Sequence, residues 1–132
     1  MTDDARPRTG VPPGWPARVL PPGTPGWQEE AQRWLWELLP AQYGRHPLLH
    51  RQPVLLARQA LLQVEAELVA LRKGSRSARV DLAGLAMDPA VVEEALRLYA
   101  AEGERLQELA GQARLVTDAL VHDVRRAGAG GG

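Results

Sequence analysis

The chain has 132 residues, enough for one domain with a modest core. Sixteen basic residues balance sixteen acidic ones, which removes the electrostatic case for a general nucleic-acid or membrane-surface protein. No cysteine is present, so disulfides and thiolate metal sites are excluded.

The apolar runs are too short to span a bilayer, and no basic cluster leads into an apolar stretch near the N-terminus. No membrane association and no secretory leader are therefore expected, and a cytoplasmic location follows by default.

Residues 1–23 hold six of the eleven prolines and almost no apolar periodicity, which predicts an extended or polyproline-like arm without regular structure. Trp15, within Pro13-Gly14-Trp15-Pro16, is the exception. So large a ring is expected to dock on the body of the protein. The competing expectation is a proline-rich ligand for another protein, but no PxxP with a flanking basic residue is cleanly formed.

A first helix over about 25–39 is expected to start at Thr24 as N-cap, with Pro25 in its first position and Glu29 and Glu30 near its positive end. Trp27, Ala31, Trp34, Leu35 and Leu38 mark its inner face. Trp36 points away from them and is expected to be partly exposed beside Leu39 unless the connector covers it. Residues 41–52 form that connector, with room for one helical turn at Leu48-Leu49.

Pro53 opens a second helix over about 53–84. Val54, Leu61, Leu68 and Leu82 fall on one phase of a seven-residue rhythm, and Ala57, Val64, Leu71, Ala78 and Leu85 on the other. Leu55, Leu62 and Val69 are expected to widen this stripe with a second buried row. Gly74 either bends the helix or, in the competing expectation, marks a stop at Lys73.

Asp88 and Pro89 then cap and start a last helix over about 89–125. Val92, Tyr99, Leu106, Ala113 and Leu120 recur at strict sevens, with Leu109 and Val116 between, while Leu96, Ala110 and Val124 broaden the stripe. Glu93 is placed to pair with Arg97 at i,i+4. Residues 127–132 are expected to be a disordered glycine-rich tail.

These elements predict an all-α fold: a long antiparallel helical hairpin, with the short Trp-rich helix packed at its open end. Residues 24–126 form a single helical domain in this reading. Each long helix would run ~50 Å and the first ~22 Å at 1.5 Å per residue, so the third helix covers only the open end. The tip over 74–95 is left beyond it.

The chain shows no phosphate loop, nucleophile elbow or HExxH sequence, and Glu29-Glu30 and Glu93-Glu94 are adjacent, so they diverge on a helix. No catalytic residue, cofactor or small-molecule substrate is expected. His46 and His50 lie four apart around Pro47, and a solvated connector is favoured over a metal site there.

Two basic stretches stand out. Arg72, Lys73, Arg76 and Arg79 are expected to face Glu93, Glu94, Glu102 and Glu104 across the hairpin. Arg45, His46, His50, Arg51 and Arg58 follow the tryptophan helix beside Tyr43 and have no acid among them. The candidate interface is accordingly Trp36, Tyr43, Arg45, Arg51, Arg72, Arg76 and Arg79.

The expected function is a non-catalytic protein–protein interaction or scaffolding module, self-associating into a homodimer that completes a four-helix bundle or binding another protein. The alternative is nucleic-acid association through 45–58 and 72–79, although so few cations give little affinity at physiological salt.

Arginine outnumbers lysine 15 to one and phenylalanine is absent, a bias of GC-rich genomes. With Pro12-Pro13-Gly14-Trp15-Pro16, the Trp-rich helix, His46-Pro47-Leu48-Leu49 and the alanine- and arginine-rich long helix, the chain resembles small uncharacterised helical proteins of high-GC actinobacteria. That resemblance implies no activity and no binding residue. A second comparison, and the third functional reading, is with the secreted WXG-type helical hairpins of the same bacteria. Their Trp-x-Gly turn is missing here, where the interhelical break reads Met87-Asp88-Pro89.

Overall fold

The structure, a computed structural model, describes residues 11–130. The part of the arm over 1–10 and the last two tail positions lie outside the described residues.

From Val11 the chain makes tight turns instead of the extended run that its prolines suggest. Three times a proline–glycine pair fills the two central turn positions: Trp15 N–H donates to Pro12 O at 3.1 Å, Thr24 to Pro21 at 3.1 Å and Trp27 to Thr24 at 3.0 Å. Gly14, Gly23 and Gly26 all take positive φ, as a type II turn requires of its third residue. This chemistry corrects the expected start of the first helix. Proline sets the second turn position and Gly26, at φ 87°, is left-handed, so Thr24-Pro25 belongs to a turn and α1 spans Trp27–Glu37 with no side-chain cap.

The connector is more ordered than one helical turn. A 3₁₀ helix over Ala41–Arg45 leads into a short helix α2 over Pro47–Arg51, which ends at Gln52 before a second helix-opening proline. Helix α3 then runs unbroken through Gly74 over Pro53–Leu82, so the stop at Lys73 does not occur. Gly84 (φ 83°) and Ala86 (φ 49°) reverse the chain. Asp88 Oδ1 accepts the Ala90 N–H at 2.8 Å, as an N-cap should, and Pro89 opens α4. Helix α4 spans Pro89–Gly130, so it continues through the first part of the tail expected to be irregular.

Helices α3 and α4 pack along their length as the antiparallel hairpin, and α1 lies on both at the open end. Among the described residues there is no β-strand. The core is concentrated where α1 sits. Trp15, Val19, Trp27, Trp34 and Leu35 meet Leu56, Ala60, Val116 and Leu120 there, and a smaller cluster of Val64, Leu68, Leu106 and Ala110 continues toward the tip. Complete burial of Leu35 and Leu56 contributes about 1.5–3 kcal/mol each.

Trp15 docks. Its indole N–H donates to Val19 O at 3.0 Å while the ring lies against Trp27. The described part of the arm therefore belongs to the core.

The expected second buried row is corrected. Leu62 is 42% and Val69 65% exposed, and Leu55 is only partly buried, whereas Leu56 and Ala60 are fully enclosed. The broadened face of α3 is turned toward α1; Leu55 still packs at the edge of the core, while Leu62 and Val69 lie outside it. Val124 likewise is exposed, while Ala110 is buried as expected.

Candidate interaction surface

The seven residues singled out from sequence fall into two groups. Trp36, Tyr43, Arg45 and Arg51 sit at the open end, and Arg72, Arg76 and Arg79 lie on the distal half of α3. At 1.5 Å per residue, Arg51 and Arg72 are about 30 Å apart along the hairpin, so the structure does not bring the groups together.

At the open end the connector folds back on α1. The His50 ring stacks on Trp36 at a centroid distance of 4.5 Å, and its Nε2 donates to Gly44 O at 2.7 Å. Tyr43 packs obliquely on His46 at 6.1 Å. Trp36 is thus half-covered by the connector, and Leu39 beside it is buried. Both histidines are held by aromatic contacts, and no group of three potential metal-ligating side chains occurs among the described residues. Arg45 and Arg51 remain exposed, with Leu48 exposed between them.

On the distal half only one of the expected cross-hairpin pairs forms. Arg79 donates to Glu93 at 2.6 Å. That contact holds the Glu93 carboxyl below its ordinary value, first by the hydrogen bond and then by the positive charge, and raises Arg79. Glu93 therefore turns to α3 and not to Arg97. Glu102 pairs instead with Arg105 on its own helix at 2.6 Å, and the hydrogen bond from Arg105 lowers its carboxyl. A pair that the sequence did not single out, Glu65 with Arg114 at 2.6 Å, crosses the hairpin nearer its middle. Arg72 lines a hollow of about 240 Å³ with Tyr99 and Glu104, and Arg76 is exposed.

A wider cleft of about 470 Å³ opens between α1, the start of α3 and the end of α4. Val54, Leu120, Val121 and Val124 supply its apolar lining, and on its rim Gln28 donates to Asp123 at 2.5 Å. No polar or charged side chain is buried among the described residues.

Besides Val69 (65%) in mid-α3 and Val124 (61%) near the open end, further exposed apolar side chains lie toward the tip. Val80 is 78% and Leu98 62% exposed, joined by Leu85, Met87 and Val91. Leu85 was expected in the seam, but α3 ends at Leu82 and the reversing turn carries Leu85 outward. The usable signal was a further strict-seven row on α4: Val91, Leu98, Arg105, Gln112 and Ala119. Its upper members are partly covered, since Gln112 lines the hollow beside Trp15 and Ala119 packs on the tryptophan core. Val91 and Leu98 are the same row with nothing over it.

No family model matches the chain, and neither a curated protein nor a solved structure shows significant similarity to it. No helix among the described residues is long and apolar enough to cross a membrane.

Proposed function

We propose that this chain is a non-catalytic protein-interaction module: a helical hairpin locked at its open end that offers its tip to a second helical hairpin, first of all another copy of itself. The observation that carries this reading is the set of exposed apolar side chains toward the tip, beyond the reach of α1 and the arm, although Leu48 and Val124 are exposed at the open end as well. At the open end Leu35, Leu56 and Val116 are sealed beneath α1 and the arm, while at the tip Val80, Leu85, Val91 and Leu98 face outward on two helices with no third. Apolar side chains grouped this way on a small domain mark an interaction site. A partner of helical form extends the same packing that α1 provides at the other end.

Light scattering on the full chain over a range of concentrations tests the reading. A mass of two chains that falls to one in Leu98→Lys and Val80→Lys, with helicity unchanged, supports it. A monomer at every concentration that also takes up no helical partner counts against it. Tight binding of duplex or single-stranded nucleic acid that collapses with salt would favour the basic stretches instead.

A further inference from the structure

We infer that the partner is a second copy laid antiparallel alongside the first, so that each tip rests on the other chain's connector. This rests on the self-association just proposed and gives it a geometry.

Charge is distributed unevenly along the hairpin although it sums to zero. Between Glu37 and Glu65 there is no acid, and Arg45, Arg51 and Arg58 are all exposed together with His46 and His50. Between Arg79 and Arg97 there is no base, and with Glu93 paired to Arg79 the acids Asp81, Asp88 and Glu94 are left exposed, outnumbering Arg76 at the tip. The first stretch flanks the start of α3 and the second its end, and 30 helical residues put them about 45 Å apart. Within one chain they cannot meet.

Each stretch also carries exposed apolar side chains, Leu48 in the first and Val80, Leu85 and Val91 in the second. Two copies side by side in parallel would set cation on cation and acid on acid. Turned end for end, they set the acidic tip of each on the basic connector of the other, twice, about one two-fold axis. The contact is isologous and closes.

Shape agrees with charge. The open end has a third helix and the arm, and the tip is two helices only. The row that is partly covered at Gln112 and Ala119 is bare at Val91 and Leu98. An antiparallel neighbour brings its thick end over this bare stretch and offers its own bare stretch in return.

The test is sedimentation equilibrium on the full chain and three variants: a tip reversal (Asp81→Arg with Glu94→Arg), a connector reversal (Arg45→Glu with Arg51→Glu), and both reversals on one chain. All four positions are exposed, and circular dichroism checks that each variant folds. Each reversal alone is expected to weaken the dimer about tenfold or more, since like charges then face each other. The combined chain is expected to recover most of the loss, and the two singly reversed variants to pair with each other when mixed.

A wild-type dimer indifferent to both reversals, or no recovery in the combined chain, overturns this geometry while leaving self-association standing. A wild-type monomer at all concentrations overturns both. Spin labels on Ala90→Cys give an independent reading: separations near 45 Å, the span of α3, fit the antiparallel pair. Short separations show the tips together and contradict it.

Discussion

The indole rings of Trp15 and Trp27 meet at a centroid distance of 5.9 Å and an angle of 59°, joining the proline-rich arm to the first helix. Tilted aromatic pairs of this kind contribute beyond their buried area, and Trp15 also closes a hydrogen bond to Val19 O. Trp15→Ala is expected to lower unfolding free energy by about 3–5 kcal/mol, the usual cost of removing a buried tryptophan. Urea titration checks it. A loss under about 1 kcal/mol would mean that the arm sits on the surface and not in the core.

Gly74 lies inside α3 with open space around the position a Cβ would take, and its φ is not positive. Gly74→Ala should therefore stabilise the protein by up to about 1 kcal/mol through helix propensity alone. Thermal melting at neutral pH measures it. Destabilisation would show that the helix is broken or bent at this residue.

Two leucines six positions apart separate the inner and outer faces of α3. Leu56 is fully buried and Leu62 is not. Leu56→Ala is expected to cost about 2–5 kcal/mol, while Leu62→Lys is expected to stay within about 0.5 kcal/mol of the parent, as exposed substitutions do. The reverse order would restore the register in which 55, 62 and 69 form the buried row.

The tip ion pair makes a pH-dependent contribution of definite sign. Arg79 lowers the Glu93 carboxyl, and a depressed carboxyl stabilises the folded state above the unfolded value of about 4.3. That contribution is lost as pH falls through the lower folded value. Glu93→Gln should therefore melt slightly below the parent at pH 7, with the gap shrinking as pH is lowered through the acid range and also shrinking in high salt. A gap that is unchanged by either would show that the contact does not act through charge.

Much of this architecture was legible because its determinants are local or periodic. Pro53, Asp88 and Pro89 set helix starts by fixed φ and by capping, and Ala57, Val64, Leu106 and Leu120 report the seam by spacing alone. The errors came where period gives no direction. Leu55, Leu62 and Val69 repeat as well as Leu61 and Leu68 do, and only the placement of α1 decides which row is covered.

Ala60 and Val19 went unremarked for a different reason. A small side chain carries little apolar signal even when completely enclosed, and Val19 belongs to a segment without period. The start of α1 was misplaced because Thr-Pro-Gly reads both as cap and helix start and as a turn, and glycine at the third position settles it for the turn. Of the candidate site, the basic residues were visible in the sequence. That the tip is left uncovered followed from the helix lengths, but the exposure of Leu85 did not, since it keeps the seam's phase after the helix has ended.

Amide hydrogen exchange followed as a function of protein concentration tests most directly whether this is a hairpin sealed at one end and open to a partner at the other. The expected result is slow exchange over 56–68 and 106–120 at every concentration. Over 80–98 exchange should be faster in dilute solution and slow down as concentration rises. A tip as protected as the tryptophan end when dilute, or one that exchanges at the same rate at all concentrations, would contradict it.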